Sequence, residues 1–193
     1  MNPTKRYINL YTEANPNPNS LKFVVNIMLV PDGTDYDFPT AASAAASPLA
    51  QQLFALPYVE RVFFMSNFVT VTKSEQVDWE EVKEELKRII KSYLEEDRPV
   101  VTQPLQEAEN AYREEDAETV QLIKGALEEY VRPAVESDGG AISFRSYHEG
   151  VVTVELRGAC SGCPSSTMTL KSGIENLLKQ MVPGVKEVIA EGV

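Results

Sequence analysis

The chain has 193 residues, of which 43% are hydrophobic and 24% are charged, as is usual for a globular protein. This length allows one large domain or two small ones. The formal net charge of -11 opposes binding to bare nucleic acid or to an anionic membrane surface, so we expect neither as a partner. The sequence also contains no apolar run long enough to span a bilayer.

The first residues of the sequence run directly into a strand-like segment. They lack the apolar core of a signal peptide and the Arg- and Ser-rich amphipathic character of a transit peptide. We therefore expect a cytoplasmic protein. Thiols stay reduced in that compartment, so closely spaced cysteines there indicate metal binding or redox chemistry rather than a structural disulfide.

Residues 1–96 are predicted to form a first domain with the element order ββαββα. A serine followed by proline, Ser47-Pro48, is typical of a helix start. Asp78 precedes an amphipathic helix whose apolar residues recur at helical spacing. Alternating or β-branched segments predict the strands of this domain at residues 7–11, 21–30, 59–65 and 68–72.

Residues 97–116 combine prolines with dense acidic sequence and little apolar periodicity, which predicts a solvated, mobile linker. Residues 117–193 then follow the order αββαβ. Pro133 is expected to kink or end the first helix of this domain. The predicted fold class is α+β, with two small α/β sandwich domains joined by the acidic linker.

The second domain is predicted to contain a long helix that begins at Pro164 and stops at Pro183-Gly184. A strand over residues 185–190 follows it. The apolar positions of the helix predict a buried stripe formed by Met168, Ile174, Leu177, Leu178 and Met181.

Both cysteines of the chain lie in one motif, GACSGCP at residues 158–164. Tetrahedral zinc and the ordinary iron–sulfur clusters need four strong ligands, commonly thiolates. One chain supplies only Cys160 and Cys163, so a metal centre here needs further ligands. The simplest source is a second copy of the chain, which predicts a homodimer held through the bound metal.

The motif lies between a predicted strand and a predicted helix, with Cys163 at the helix N-cap. Unpaired backbone amides and the positive end of the helix dipole favour the thiolate, which is the form that binds metal. Gly158 and Gly162 permit tight turns. We expect the loop to be exposed, which argues against two cysteines placed there for packing alone.

The spacing of the cysteines leaves other interpretations open. A thioredoxin-like dithiol oxidoreductase also places a Cys-x-x-Cys pair at a helix N-terminus. A structural zinc site would use the same thiolates in a Cys₄ set shared by two chains. The one histidine, His148, is expected in a surface turn, and Trp79 is expected to be a packing anchor. No catalytic Ser/His/Asp group is evident, so we do not expect an enzyme.

Several segments of the second domain resemble the C-terminal NifU-like domain of Nfu proteins. They are EYVRP at residues 129–133, SDGG at 137–140, GACSGCPSST at 158–167 and LKSGIE at 170–175. The first domain resembles the Nfu N-terminal domain through NPNPNSLKF at residues 15–23. The sequence departs from many relatives at Ala141, where they carry an acidic or amide residue.

The resemblance implies a protein that assembles or carries an iron–sulfur cluster, usually [4Fe-4S], and delivers it to apo-proteins. It also implies that upstream cluster assembly machinery supplies the cluster. The cysteines of the family motif correspond to Cys160 and Cys163, which would hold a cluster that bridges two subunits. The ligand count given above leads independently to the same sharing between copies.

Overall fold

The computed structural model describes residues 6–103, 110–161 and 164–192, with the backbone alone for 164–166. The chain divides into two compact units, residues 1–105 and 106–193. Each unit has its own sheet and its own hydrophobic core. The predicted fold class, two small α+β domains, is confirmed. No helix in the described ranges combines the length and the apolar character needed to cross a bilayer.

The first unit is a five-stranded antiparallel sheet in the order β1-β2-β5-β4-β3, with its helices packed against the core side. A 3₁₀ helix, Ala41–Ala46, precedes the first α-helix. The elements are β1 (Leu10–Ala14), β2 (Ser20–Val25), β3 (Asp35–Phe38), α1 (Pro48–Phe54), β4 (Val59–Met65), β5 (Phe68–Lys73) and α2 (Trp79–Glu95).

Helix α2 follows the amphipathic pattern of its sequence. It begins after Asp78, and two glutamates in its first turn lie at the end where the helix dipole favours negative charge. Its buried face meets the alternate residues of β2, β4 and β5. The apolar spacing of the sequence is sufficient to define this helix, because the buried residues recur every three or four positions: Val82, Leu86, Ile90 and Tyr93.

Strand β3 is absent from the prediction, so the observed order of the first unit is βββαββα. Its sequence, DYDF, contains aspartates, which disfavour strands. The neighbouring strand compensates, because Arg61 Nε on β4 donates a hydrogen bond to Asp37 Oδ1 at 2.8 Å. Tyr36 and Phe38 face the core. The predicted strand over residues 21–30 is also too long, since β2 ends at Val25.

The second unit is a three-stranded mixed sheet in the order β6-β7-β8, in which β6 pairs antiparallel and β8 parallel to β7. The predicted order αββαβ holds. A 3₁₀ turn, Glu114–Asp116, precedes the first helix. The elements are α3 (Ala117–Ala126), α4 (Arg132–Ser137), β6 (Gly140–His148), β7 (Val151–Gly158), α5 (Pro164–Met181) and β8 (Glu187–Gly192).

Pro133 does not end the helical segment. A π-helical turn, Leu127–Val131, joins α3 to α4, and helical backbone continues to Ser137. Proline removes one backbone N–H donor and crowds the preceding turn, and a widened turn is one way for a helix to accommodate it. Arg132 supports this stretch by pairing with Glu128 and Glu136.

Helix α5 begins at Pro164, as predicted, but two residues of its predicted buried stripe are wrong. Met168 is 73% exposed and Met181 is 42% exposed. Ile174 and Leu178 form the buried stripe, with Leu177 partly buried. The helical period places Met168 about 100° from the centre of that stripe, which is too far to reach the core.

Part of the predicted linker, residues 97–116, has defined contacts. In the first unit Val100 is buried, and its carbonyl accepts a hydrogen bond from the Ser47 hydroxyl. In the second unit Ala111 bonds to the edge of β6, since its N–H donates to Arg145 O at 2.9 Å. Residues 104–109 of this prediction lie outside the described residues.

Ser47→Ala tests how the first unit is held together. The fully buried hydroxyl accepts from Ala50 N–H and donates to Val100 O, so the substitution should remove a helix cap and leave a buried carbonyl unsatisfied. We expect a loss of about 1–3 kcal/mol in the free energy of unfolding. Urea unfolding followed by the fluorescence of Trp79, the one tryptophan, reports on this unit. Ser92→Ala, at an exposed position of α2, is the control that should leave stability unchanged.

Glu175→Gln tests how β8 is attached to α5. Hydrogen bonds from the Lys179 ammonium and the Val188 N–H lower the pKa of Glu175 below its ordinary value. A lowered folded-state pKa stabilises the protein above the unfolded-state pKa of about 4.3, and this stabilisation is lost as the pH falls through the folded-state value. Relative to wild type, the variant should therefore melt at a lower temperature at pH 7, and the difference should shrink below pH 4.

The control for Glu175 is Glu84→Gln. The pKa of Glu84 is also lowered, chiefly by its hydrogen bond with Lys87, but this pair lies within one exposed helix and joins no second element. We expect a smaller change in melting temperature for this variant. Equal changes in the two variants at pH 7 would contradict the role of Glu175 in holding β8.

Candidate metal centre

The cysteine loop leaves the end of β7 through a glycine turn. Gly158 adopts a φ of 68°, a left-handed conformation that favours glycine. Ser161 N–H donates to Gly158 O at 3.1 Å and closes the turn. Ala159 N–H donates to Gly139 O at 3.3 Å, so the loop is also bound to the segment that opens β6.

The Cys160 side chain lies directly against Gly140. A Cβ atom at residue 140 would stand 2.9 Å from Cys160 Sγ and 2.6 Å from the Arg157 carbonyl oxygen. Real Cβ atoms essentially never approach other atoms so closely. Gly140 pairs with Gly158 across the sheet. Any side chain at residue 140 would enter the space of the Cys160 sulfur, so this position requires glycine.

Sequence reasoning missed this role of the glycine doublet. Gly139 turns the chain after α4, with a φ of 79°. Gly140 has the different task of making room for the thiol. The available signal was weak: a glycine at the start of one strand and a glycine at the end of the next, Gly158, two residues before the first cysteine.

The first half of the loop is buried, which corrects the expectation of an exposed loop. Ala159, Cys160 and Ser161 are only 2%, 7% and 8% exposed. Cys160 belongs to the core of the second unit, among residues of both the helices and the sheet. Its sulfur is therefore fixed by packing, which limits where a bound metal could lie.

The start of α5 is tied to the same loop. Thr167 Oγ1 donates to the Cys160 carbonyl oxygen at 3.3 Å. This bond ties the first turns of α5 to the backbone of the first cysteine. Gly162 and Cys163 lie outside the described residues, and the roles of Cys160 and Cys163 as ligands both stay predictions.

The other residues considered as candidates lie elsewhere. His148 ends β6, at the opposite end of the strand from Gly140, and its side chain is 61% exposed. Trp79 packs in the first unit, where its Nε1 donates to Pro18 O at 2.9 Å. Among the residues that the structure describes, no cluster of three or more His, Cys, Asp or Glu side chains is arranged to hold a metal ion.

Comparison with known families identifies both units. The family described as "Scaffold protein Nfu/NifU N terminal" matches residues 10–97, and the family described as "NifU-like domain" matches residues 123–189. The chain belongs to the Nfu family. The resemblance inferred from the sequence motifs is therefore confirmed in both of its parts.

Curated relatives match the chain over nearly its whole length. The mitochondrial NFU1 iron-sulfur cluster scaffold homolog of Drosophila willistoni is 41% identical over 184 residues, which cover 95% of this chain and 64% of that protein. The homolog of Drosophila persimilis is 40% identical over 184 residues and is covered to 65%. The chain thus spans less than two thirds of the length of these relatives.

A solved structure provides a weaker similarity. The solution NMR structure of a NifU-like protein from Saccharomyces cerevisiae is 26% identical, with a TM-score of 0.46. The match covers 54% of this chain and 91% of that one. A similarity at this level adds nothing to the family assignment.

The expectation of a cytoplasmic protein is wrong by this comparison, because the similar curated proteins are named mitochondrial. That expectation rested on the residues that follow Met1. The relatives extend beyond the matched segment, so the beginning of this sequence carries no information about the compartment.

Gly140→Ala tests how packing against residue 140 positions the Cys160 side chain. The added methyl group would lie too close to the Arg157 carbonyl oxygen and the Cys160 sulfur, so the loop must shift. We expect the free energy of unfolding of the second unit to fall by about 1–3 kcal/mol. The thiol should also leave its buried position. In a Cys163→Ser background, the rate of Cys160 modification by an aromatic disulfide reagent measures this directly and should rise.

The matched control is Gly125→Ala in α3, where an added Cβ meets nothing within 4 Å. Alanine in a helix interior should stabilise the unit by up to about 1 kcal/mol and leave the thiol protected. A Gly140→Ala protein with wild-type stability and a slowly reacting Cys160 would contradict the packing described here.

Proposed function

We propose that this protein is a non-enzymatic scaffold or carrier for an iron–sulfur cluster. Two copies share one [4Fe-4S] cluster through Cys160 and Cys163 of each chain and release it to apo-proteins. The observation that carries the proposal is the Cys-x-x-Cys loop in a chain that has no other cysteine. Four strong ligands are needed, and one chain has two.

The comparisons support the general role. The relatives carry the words "iron-sulfur cluster scaffold homolog" in their names, and the loop lies within the matched NifU-like domain. The bridging position, the nuclearity of the cluster and the transfer step are proposals for this chain, because it spans only 64% and 65% of those two relatives.

The described half of the loop provides a rigid donor. Gly140 leaves room for the Cys160 sulfur, and Thr167 bonds to the carbonyl of the same residue. A donor fixed by packing needs little reordering when metal arrives, which favours binding. The cluster is the cargo and consists of iron and sulfide from outside the chain. The chain contributes the thiolates and holds them in place.

Release follows from incomplete ligation by either copy. A cysteine thiolate of an acceptor forms a bond to an iron atom while the bond between that iron and Cys160 breaks. The freed Cys160 thiolate then takes up a proton. No change in the oxidation state of the cluster is needed. The acceptors are apo iron–sulfur proteins, and upstream assembly machinery supplies the cluster.

We also propose the division into residues 1–96, 97–116 and 117–193. The family matches support it, since one ends at residue 97 and the other begins at residue 123. Within residues 97–116, Val100 is buried in the first unit and Ala111 bonds to β6 of the second.

A dithiol oxidoreductase uses the same motif differently. Its attacking sulfur must be reached by a disulfide of another protein. Cys160 is 7% exposed, so access to its sulfur is restricted. Burial does not disfavour the zinc alternative in the same way, because a structural zinc site is itself closed. Metal analysis is therefore needed to decide between an iron–sulfur cluster and a zinc ion.

Cys160→Ser tests the cluster site. After anaerobic incubation with ferrous iron and sulfide, the wild-type chain should hold about two irons and two sulfides per chain, which is one four-iron cluster per pair of copies. The variant should lose most of this iron. Iron, sulfide and zinc analysis, together with visible absorption, measure the outcome.

His148→Ala is the control, since it changes the only histidine and leaves both thiols in place. It should load like wild type. A Cys160→Ser protein that retains a full, equally stable cluster would overturn the proposal. Zinc without iron in protein purified under anaerobic conditions would favour the zinc site, and sustained insulin reduction by metal-free protein would favour the oxidoreductase.

A further inference from the structure

Arg132 lies between two glutamates of the same helical segment and binds both of them. Its Nη1 donates to Glu128 Oε2 at 2.5 Å, and its Nε donates to Glu136 Oε1 at 2.6 Å. The partners lie four residues before and four residues after the arginine. Arg132 is also the one cationic residue between residues 127 and 138, a stretch of sequence with four acids. Its planar guanidinium can hold two carboxylates in fixed directions.

The helix that Arg132 begins is short. α4 has six residues, which is about one and a half turns, and its buried residue is Val135. Pro133 brings no backbone N–H, and the preceding turn, Leu127–Val131, is π-helical. Short helices are marginal unless side chains or packing hold them. The two ion pairs of Arg132 extend from the π-helical turn to the last turn of α4.

The end of α4 is bonded to the cysteine loop. Gly139 N–H donates to the Glu136 carbonyl oxygen at 3.0 Å, and the Gly139 carbonyl oxygen accepts from Ala159 N–H at 3.3 Å. Ala159 precedes Cys160, whose sulfur lies against Gly140. Glu136 thus takes part in the ion pair through its carboxylate and holds Gly139 through its backbone carbonyl. A movement of α4 would shift the glycine pair and change the space left for the sulfur.

We propose that Arg132 is a positioning residue for the cysteine loop. Its ion pairs fix α4, α4 fixes the glycine pair, and the glycine pair fixes the Cys160 sulfur. The inference rests on the proposed function only in its last step, that this sulfur binds a cluster, and the positioning itself can be measured without metal. Two ion pairs at this spacing should lower the opening constant of the loop by about threefold to fivefold.

The first measurement is amide hydrogen exchange in the full, metal-free chain. Exchange at Ala159 reports on its bond to Gly139. Exchange at Val188, whose N–H donates to Glu175 in the same unit, reports on opening away from the loop. In Arg132→Gln we expect Ala159 to exchange about threefold to fivefold faster than in wild type, and Val188 to exchange at the wild-type rate.

The second measurement follows the sulfur. In a Cys163→Ser background, Arg132→Gln should raise the rate at which an aromatic disulfide reagent modifies Cys160 by about threefold to fivefold, because modification requires the same local opening. With both cysteines present and the cluster loaded without oxygen, the variant should release iron to a chelator faster than wild type by a similar factor.

The controls separate a specific bond from a general effect of substitution. Arg113→Gln changes an arginine that pairs with Glu115 at 3.4 Å outside α4, so Ala159 should exchange at the wild-type rate. Glu136→Ala removes one of the two pairs and should raise exchange at Ala159 by about twofold. Glu136→Gln should exchange more slowly than Glu136→Ala, because its amide oxygen can still accept from Arg132 Nε.

Wild-type exchange at Ala159 in folded Arg132→Gln protein would overturn the inference. Equal acceleration at Ala159 and Val188 would also overturn it, because Arg132 would then support the unit as a whole. Thermal unfolding checks that each variant folds. If Arg132→Gln does not fold, the two Glu136 variants decide, and equal exchange at Ala159 in both would overturn the inference.

The role of Arg132 and the cluster site can fail separately. Wild-type protein that takes up no cluster contradicts the proposed function, and exchange in the metal-free chain still decides whether Arg132 positions the loop. Wild-type protein that loads, beside loaded Arg132→Gln protein that releases iron at the wild-type rate, contradicts the role of Arg132 alone.

Discussion

The close approach of the Cys160 sulfur to Gly140 is the contact on which the rest of the site depends. Residue 140 cannot carry a side chain, because the sulfur and the Arg157 carbonyl oxygen occupy that space. The left-handed turn at Gly158 leads the chain into this position, and the Gly139 carbonyl oxygen accepts from the loop. The first thiol thus belongs to the core of a sheet domain, although it lies in a loop.

This placement combines stability with incompleteness. Packing fixes the position of the Cys160 sulfur. The chain contains two cysteines in all, so it cannot supply four thiolates to one metal centre. The scaffold role that we propose needs both properties, since four thiolates from one chain would hold a cluster too firmly for transfer. The buried position of Cys160 means that, in our account, lability comes from the shared ligand set and not from exposure of the first cysteine.

Elements with strong periodicity were predictable, and elements defined by pairing were not. The spacing of Val82, Leu86 and Ile90 was enough to define α2. Strand β3 was not predictable from its own residues, because its aspartates disfavour a strand until Arg61 is brought beside Asp37 by the fold. Met168 falls within the apolar pattern of α5 and is nevertheless exposed. The pattern alone does not show how much of the helix circumference the core covers.

At the site, the sequence indicated the two thiols and the shortage of ligands. It did not indicate the residues that hold Cys160 in position. Cysteine spacing and the count of donors are properties of the chain itself, so they could be read directly. The role of Gly140 depends on its pairing with Gly158 across the sheet, so the two glycines are only a weak signal until the pairing of the strands is known. The hydrogen bond from Thr167 to the Cys160 carbonyl oxygen likewise depends on how the loop turns into α5.

The most direct test of the account is the mass of the intact loaded species. Native mass spectrometry of the full chain, loaded and sprayed without oxygen, counts chains and iron and sulfide atoms in one measurement. The account predicts a species of two chains with one cluster, which disappears when Cys160 and Cys163 are both replaced by serine. A single chain that carries a complete cluster, or a loaded species that survives the double replacement, would contradict it.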